Sequence, residues 1–129
     1  MSKNKQSQDK HEEIVNGLYE QMKKIFESSE QAMYLYLDDT HKACNSKFAA
    51  LLGYKSPKEW AEVKGALEPF VAEKSQEPLS STYWNAMNKM IASKISVTWK
   101  KKNGGTVDTN VILVPMAYAG HLFAVHFVS

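Results

Sequence analysis

Between residues 11 and 29 the large apolar side chains recur at helical spacing. Ile14, Val15, Leu18, Tyr19, Met22, Ile25 and Phe26 all fall within one arc of about 140° at 100° per residue. Glu12, Glu13, Glu20, Lys23, Lys24 and Glu27 occupy the opposite side. The pattern predicts an amphipathic helix over 11–29 with a wide stripe to bury, either on its own domain or against a second copy. Val15, Tyr19, Met22 and Phe26 advance as a coiled-coil seam does, but over less than two heptads. Val15, Leu18, Tyr19, Met22 and Phe26 are the candidate dimer contacts. The preceding segment, MSKNKQSQDK, has no such stripe, and residues 1–10 read as a disordered tail.

After Ser29 the period changes. Ala32 to Leu37 is a short apolar and aromatic run that ends at Asp38-Asp39-Thr40, a strand followed by a turn. His41 to Cys44 reads as a second strand. Asn45 stands where a helix N-cap belongs, and Phe48, Ala49, Leu51 and Leu52 give that helix its buried face. Gly53 predicts its end, because glycine takes the left-handed position past a helix at low cost. Ser56-Pro57-Lys58-Glu59 is a capping box with proline at the first helical position. Residues 64–80 are irregular and punctuated by Gly65, Pro69 and Pro78, with a further helix expected from Ser81 to Ser93.

The remainder has strand character. Ile95, Val97 and Trp99 alternate, Asn103-Gly104-Gly105 marks a hairpin, and TVDTNVILVPM and HLFAVHFV are two further arms. Val111, Ile112, Leu113 and Val114 run consecutively. A sheet with one solvated face would alternate, so this stretch predicts cover on both faces, with the N-terminal helix supplying the second.

Composition narrows the class. The chain has 129 residues, 43% apolar and 23% charged, enough for one domain with its own core. Its net charge of +2 and scattered lysines give no nucleic-acid stripe. The lone Cys44 excludes an internal disulfide and fits a reducing, cytoplasmic setting. No apolar run approaches the roughly 20 residues of a membrane span, and no signal peptide precedes the helix.

Two strands lead into Asn45-x-x-Phe48-x-x-x-Leu52-Gly53-Tyr54, then Ser56-x-x-Glu59-Trp60, a helix rich in aromatic and methionine residues, the hairpin Lys101-Lys102-Asn103-Gly104, and two long strands. In this order the chain resembles a PAS domain over about Ser29 to Val128. The chain then divides into a tail (1–10), an amphipathic helix (11–29) and a PAS-like domain (30–129). The resemblance implies an α+β fold: a five-stranded antiparallel sheet in 2-1-5-4-3 order, with short helices covering one face and enclosing a pocket. It also implies a helix after the last strand in many sensors; here the chain stops at HFVS, so it is expected to act in trans or to be an excised domain.

Candidate chemistry is sparse. No C-x-x-C or H-E-x-x-H spacing occurs. His121 and His126, like His41 and Cys44, lie an odd number of residues apart, on opposite strand faces, so no metal site is expected. Cys44 beside a helix N-terminus is read as a buried strand residue rather than a nucleophile. Flavin photosensors of the family resemble one another in an N-C-R-F-L-Q motif after the second short helix, where this chain reads AEVKGALEPFV without cysteine. Haem-binding members use a histidine on the long helix, and STYWNAMNKMIASK has none. Haem and covalent flavin are therefore disfavoured, and no cofactor is expected.

What remains is a pocket, with Phe48, Leu52, Phe70, Trp84, Met87, Met90 and Trp99 as its candidate lining and His126 as a polar handle. The leading expectation is a non-enzymatic sensory or signalling module that binds a small apolar ligand or a protein partner in trans and dimerises. An interaction domain with a filled core is the alternative. A small enzyme using Asp108 with a histidine is a third reading, without spacing to support it.

Overall fold

The computed structural model describes residues 2–38, 40–65 and 67–129, with side chains from residue 10 onward. Helix α1 (Ser2–Ser28) precedes β1 (Ala32–Asp38) and β2 (His41–Cys44). The short helices α2 (Ser46–Leu51) and α3 (Pro57–Glu62) follow, then the longer α4 (Glu73–Lys89). The hairpin of β3 (Ser93–Lys100) and β4 (Thr106–Tyr118) leads to β5 (His121–Val128). The strands form one five-stranded sheet in the order β2-β1-β5-β4-β3, antiparallel throughout. Fold class and strand order are those the resemblance implies. Among the described residues no helix is long and apolar enough to cross a membrane.

Local chemistry sets the inner wall. Asn45 caps α2 through a hydrogen bond from the Phe48 amide at 3.0 Å. The helix ends as a Schellman turn. Gly53 has φ +84°, its N–H donates to Ala50 at 3.0 Å, and the Tyr54 N–H reaches back to Ala49 at 2.8 Å. At α3 the Ser56 hydroxyl accepts from the Glu59 amide at 3.1 Å, with Pro57 in the first turn. The Glu59 carboxylate reaches the Lys55 amide at 3.0 Å, one residue before the cap rather than the cap itself. Lys102 ties this wall to the β3–β4 hairpin: its amide donates to the Leu52 carbonyl at 2.7 Å and its ammonium pairs with Glu59 at 3.1 Å.

Two element boundaries differ from the sequence expectation. The segment expected as a disordered tail is helical from Ser2. It holds no glycine or proline and several good helix formers, so it extends the helix without adding to the stripe that apolar periodicity detects. Helix α4 begins at Glu73 and carries Pro78 inside it, where a break was expected. Ser75 and Leu79, either side of the proline, are both buried, and the Ser75 hydroxyl accepts from the Thr98 amide of β3 at 3.0 Å. These anchors hold the turn that proline would otherwise open.

The sheet buries both faces, unevenly. On the outer face Ile14, Val15, Leu18, Met22 and Phe26 of α1 pack on Met33, Leu35, Phe123 and Val125. Each such side chain contributes roughly 1.5–3 kcal/mol. On the inner face Tyr34, Phe48, Leu52, Trp60, Phe70, Val97 and Trp99 form the main core. The expectation that α1 covers the Val111–Val114 run holds on neither outer-facing position. Ile112 is 42% exposed and Val114 half-buried. The side chains of α1 centre on β1 and β5, with Ala43 of β2 at one edge and only Met116 and Tyr118 of β4 at the other, so the helix stops short of Ile112 and Val114.

Candidate functional site

A cavity of about 210 Å³ lies between the inner face and the helical wall. Tyr34 and Tyr36 alternate with outer-face residues along β1, and His126 stands opposite Tyr34 on β5. The Tyr34 and His126 rings stack at 3.8 Å, 8° from parallel. Trp60 of α3, Trp99 of β3 and Phe70 complete the lining together with Leu79, Tyr83 and Trp84 of α4. Tyr83 meets Tyr36 edge-on at 5.5 Å and Trp84 at 5.2 Å. Trp84 is 60% exposed, so part of the lining faces solvent.

Lys42 is buried in this wall. Its ammonium donates to the Ala61 and Val63 carbonyls, groups that the end of α3 leaves without helical partners. It also lies 5.3 Å from the Trp60 ring and 5.5 Å from the Phe70 ring. The lysine therefore holds the C-terminus of α3 in place beside the cavity.

Two polar atoms stand out. The Trp60 Nε1 and the His126 Nδ1 are buried and find no hydrogen-bond partner among the described residues. Both residues line the cavity. Trp99 offers the contrast: its Nε1–H donates to Thr109 Oγ1 at 2.7 Å. Burial pushes the His126 imidazole down to about 3 and outweighs the backbone of Ala124 and Tyr34 beside the ring, which favours the charged form, so it stays neutral. Burial likewise raises the Tyr34 phenol well above its ordinary value, with Tyr36 adding to the effect. The cavity is thus aromatic and uncharged at His126, with one unmet indole donor and one unmet imidazole nitrogen.

Of the eight residues expected to line the pocket, Phe70, Trp84, Trp99 and His126 do so. Phe48 and Leu52 are fully buried behind the wall, with Phe48 stacked on Tyr34 at 4.7 Å. Met87 packs on Leu113 and Ala124 instead. Met90 is corrected outright: it is 53% exposed and takes φ 54° at the C-cap of α4, which turns it away from the sheet. Sequence reasoning missed Tyr34, Tyr36, Lys42 and Trp60. The tyrosines carried a readable signal in the alternation of β1, and Trp60 sat inside a capping motif read only as architecture.

Of the two placements expected for the helix stripe, the structure shows packing on its own sheet: Val15, Leu18, Met22 and Phe26 are buried there, and Tyr19 is half-buried beside them. Burial pushes the Cys44 thiol up to about 12, which leaves no thiolate at ordinary pH. Asp108 accepts from Thr98 Oγ1 at 2.6 Å. Its place in β4 puts it on the face opposite Leu113 and its partner His126, so no Asp108–histidine pair forms at the cavity. The histidines discounted as ligands gather elsewhere: donor atoms of His11, Asp38 and His41 all lie within 4.8 Å of one another.

No family model matches this sequence, and no curated protein matches it. The fold does match solved structures. A PAS domain from a two-component sensor histidine kinase aligns with TM-score 0.65 and 10% identity, over 88% of this chain and 96% of that one. The PAS domain of an HTR-like protein from Haloarcula marismortui aligns with TM-score 0.66 and 16% identity, over 94% and 98%. A LOV protein from Rhodobacter sphaeroides aligns with TM-score 0.67 and 14% identity, over 88% and 66%. The chain has the PAS fold.

Proposed function

We propose that this chain is a non-enzymatic sensory module whose cavity takes up a small, largely aromatic or apolar molecule that carries a hydrogen-bond acceptor. The observation that carries the reading is the pair of unmet atoms at the cavity wall, Trp60 Nε1 and His126 Nδ1. An unsatisfied buried polar group costs about 1–3 kcal/mol. A ligand acceptor facing the indole N–H offsets that cost, and the neutral imidazole meets a second polar group in either tautomer. The aromatic walls supply the apolar contact. Neither haem nor covalent flavin fits the reading, since Cys44 lies outside the cavity lining and α4 carries no histidine.

Signal passes to a protein partner in trans in a cytoplasmic setting, and the module dimerises. The dimer surface in this reading is the part of the outer face that α1 leaves open, where Ile112 is exposed, rather than the buried stripe of the helix. Ile112→Glu is expected to shift the mass measured by light scattering from dimer to monomer. A wild-type protein that is monomeric at all concentrations overturns the dimer.

Native purification followed by mass analysis of the released small molecules tests the ligand. A stoichiometric compound that is lost in Trp60→Phe supports the reading. An empty cavity, with no compound in a chemically diverse collection raising the melting temperature, favours a pure interaction domain.

A further inference from the structure

Three of the chain's four histidines meet at one corner of the fold, remote in role from the cavity. His11 comes from α1, His41 opens β2 and His121 opens β5, while Asp38 closes β1. Sequence spacing hides this corner, because its members belong to four different elements. His11 Nδ1 lies 3.4 Å from Asp38 Oδ2, and His41 Nδ1 lies 2.6 Å from Asp38 Oδ1. The His11 ring stands edge-on to His41 at 5.4 Å and to His121 at 5.2 Å. Among the described residues, the ion-pair partners of Asp38 are both histidines.

We propose that His11, Asp38 and His41, with His121 as the fourth ligand, form a divalent metal site suited to Zn²⁺ that clamps α1 to the rim of the sheet. Imidazole nitrogen and carboxylate oxygen are zinc donors, and four of them match its tetrahedral preference. Zinc bonds of about 2.0–2.1 Å place neighbouring donors roughly 3.3 Å apart. The His11, Asp38 and His41 donors already lie within 4.8 Å of each other, and the His121 ring stands 5.2 Å from that of His11, within reach of a side-chain rotation. Two histidine–aspartate contacts bring the groups together, and a bound metal would replace them with coordination bonds.

Outer contacts prepare the ligands. Asp38 Oδ1 accepts from the Thr40 amide at 3.0 Å and lies 3.2 Å from the Thr40 hydroxyl, which fixes the carboxylate. His121 Nδ1 sits 3.1 Å from the Ala119 carbonyl. A carbonyl only accepts, so Nδ1 carries the proton and Nε2 presents its lone pair, the arrangement that orients metal-bound imidazoles. The three core ligands are half-buried, accessible to an incoming ion yet held by the fold. A bound ion links α1 to β1, β2 and β5 at once, so the docking of the helix becomes linked to metal concentration.

The test uses the full chain without an affinity tag. Titration calorimetry with Zn²⁺ is expected to show one equivalent, and the melting temperature to rise with Zn²⁺ but not with Mg²⁺, which prefers oxygen ligands. Amide exchange in α1 around His11 slows in the same titration, a readout that a merely structural histidine cluster would not move. Changes in outer contacts alone weaken metal sites by about 10- to 100-fold, so His11→Ala, Asp38→Asn and His121→Gln each weaken binding by at least that, while His126→Gln does not. The variants lie on separate elements, so one that loses its circular dichroism leaves the others to decide. No saturable binding, or binding that survives His11→Ala and Asp38→Asn, overturns the site.

Discussion

Against the outer face of the sheet, α1 lays Leu18, Met22 and Phe26 on Met33, Leu35, Phe123 and Val125, with Tyr19 and Tyr118 at the cluster's margin. Against the inner face the helical wall encloses a cavity, a buried lysine, a neutral histidine and an indole N–H without a partner. One sheet carries both surfaces, and they do opposite work. The outer face is closed where the helix lies and holds the helix to the domain. The inner face keeps space and unmet polar atoms that a better-packed core would eliminate. Where a fold tolerates such costs, the side that bears them is the side to search for a ligand.

The largest expected effect breaks the closed face. Phe26 is 2% exposed at the end of α1, and Phe26→Ala is expected to cost about 3–5 kcal/mol, read as a lower urea midpoint. A shift below 1 kcal/mol would mean that the helix is not held there. Ligand uptake by the inner face separates the two surfaces further: it is expected to survive mild destabilisation of α1.

Acid acts next, on the open face. An unfolded histidine binds its proton near 6.5, whereas burial holds His126 down to about 3. Between these values the unfolded state carries the extra proton. The stability that His126 contributes is present above 6.5 and is lost as pH falls towards 3, at about 1.4 kcal/mol per pH unit at most. Asp38 acts in the same direction at the acid end. Burial raises its carboxyl, but hydrogen bonds from His41 and the Thr40 amide outweigh burial and hold it below the ordinary value. Denaturation midpoints measured from pH 7 to 4 check the slope, and His126→Phe is expected to flatten it. An unaltered slope in that variant would assign the acid sensitivity elsewhere.

The two buried tryptophans of the cavity allow a finer comparison. Trp60 and Trp99 are each 2% exposed, but only Trp99 has its indole N–H bonded, to Thr109. Trp99→Phe is expected to cost about 1–3 kcal/mol through the lost bond to a buried hydroxyl, which keeps only its own bond to the Val97 carbonyl. Trp60→Phe removes a donor that had no partner, so in ligand-free protein it costs clearly less. Equal melting shifts for the two variants would show that the Trp60 N–H is satisfied in solution, and the case for a ligand acceptor there would fall.

Much of this contrast was legible in the sequence where the signal is local. Asn45, Gly53 and Ser56-Pro57 mark helix ends because caps involve residues three or four apart. The same Asn45 shows where legibility stops. Its Oδ1 also accepts from the Met33 amide at 3.1 Å, and its Nδ2 donates to the carbonyls of Gln31 at 2.9 Å and Phe26 at 3.3 Å. One side chain thereby joins the end of α1, the start of β1 and the start of α2, across separations that no spacing rule encodes. The apolar stripe of α1 announced that it must be buried but not on what. Trp60 and Lys42 reach the cavity only once α3 folds over β2, and the His11–Asp38–His41 corner depends on three elements meeting. Met90 failed because helical periodicity was extended past the point where the backbone turns to positive φ.

The smallest effect concerns the join between wall and hairpin. Gly53 has φ +84°, and a Cβ built there meets only Lys102, at 3.8 Å, an ordinary contact. Gly53→Ala therefore carries the cost of left-handed backbone and no clash, about 1 kcal/mol. The Leu52 carbonyl still accepts from the Lys102 amide, so the wall keeps its place and the cavity its shape. The expected outcome is a small drop in the denaturation midpoint with an unchanged affinity for whatever compound the cavity takes up. An unchanged midpoint would mean that α2 does not end in this turn. A large drop would mean that the close of α2 and the hairpin behind it hold the cavity wall more tightly than one backbone strain accounts for, and the inner face would then be the more rigid of the two.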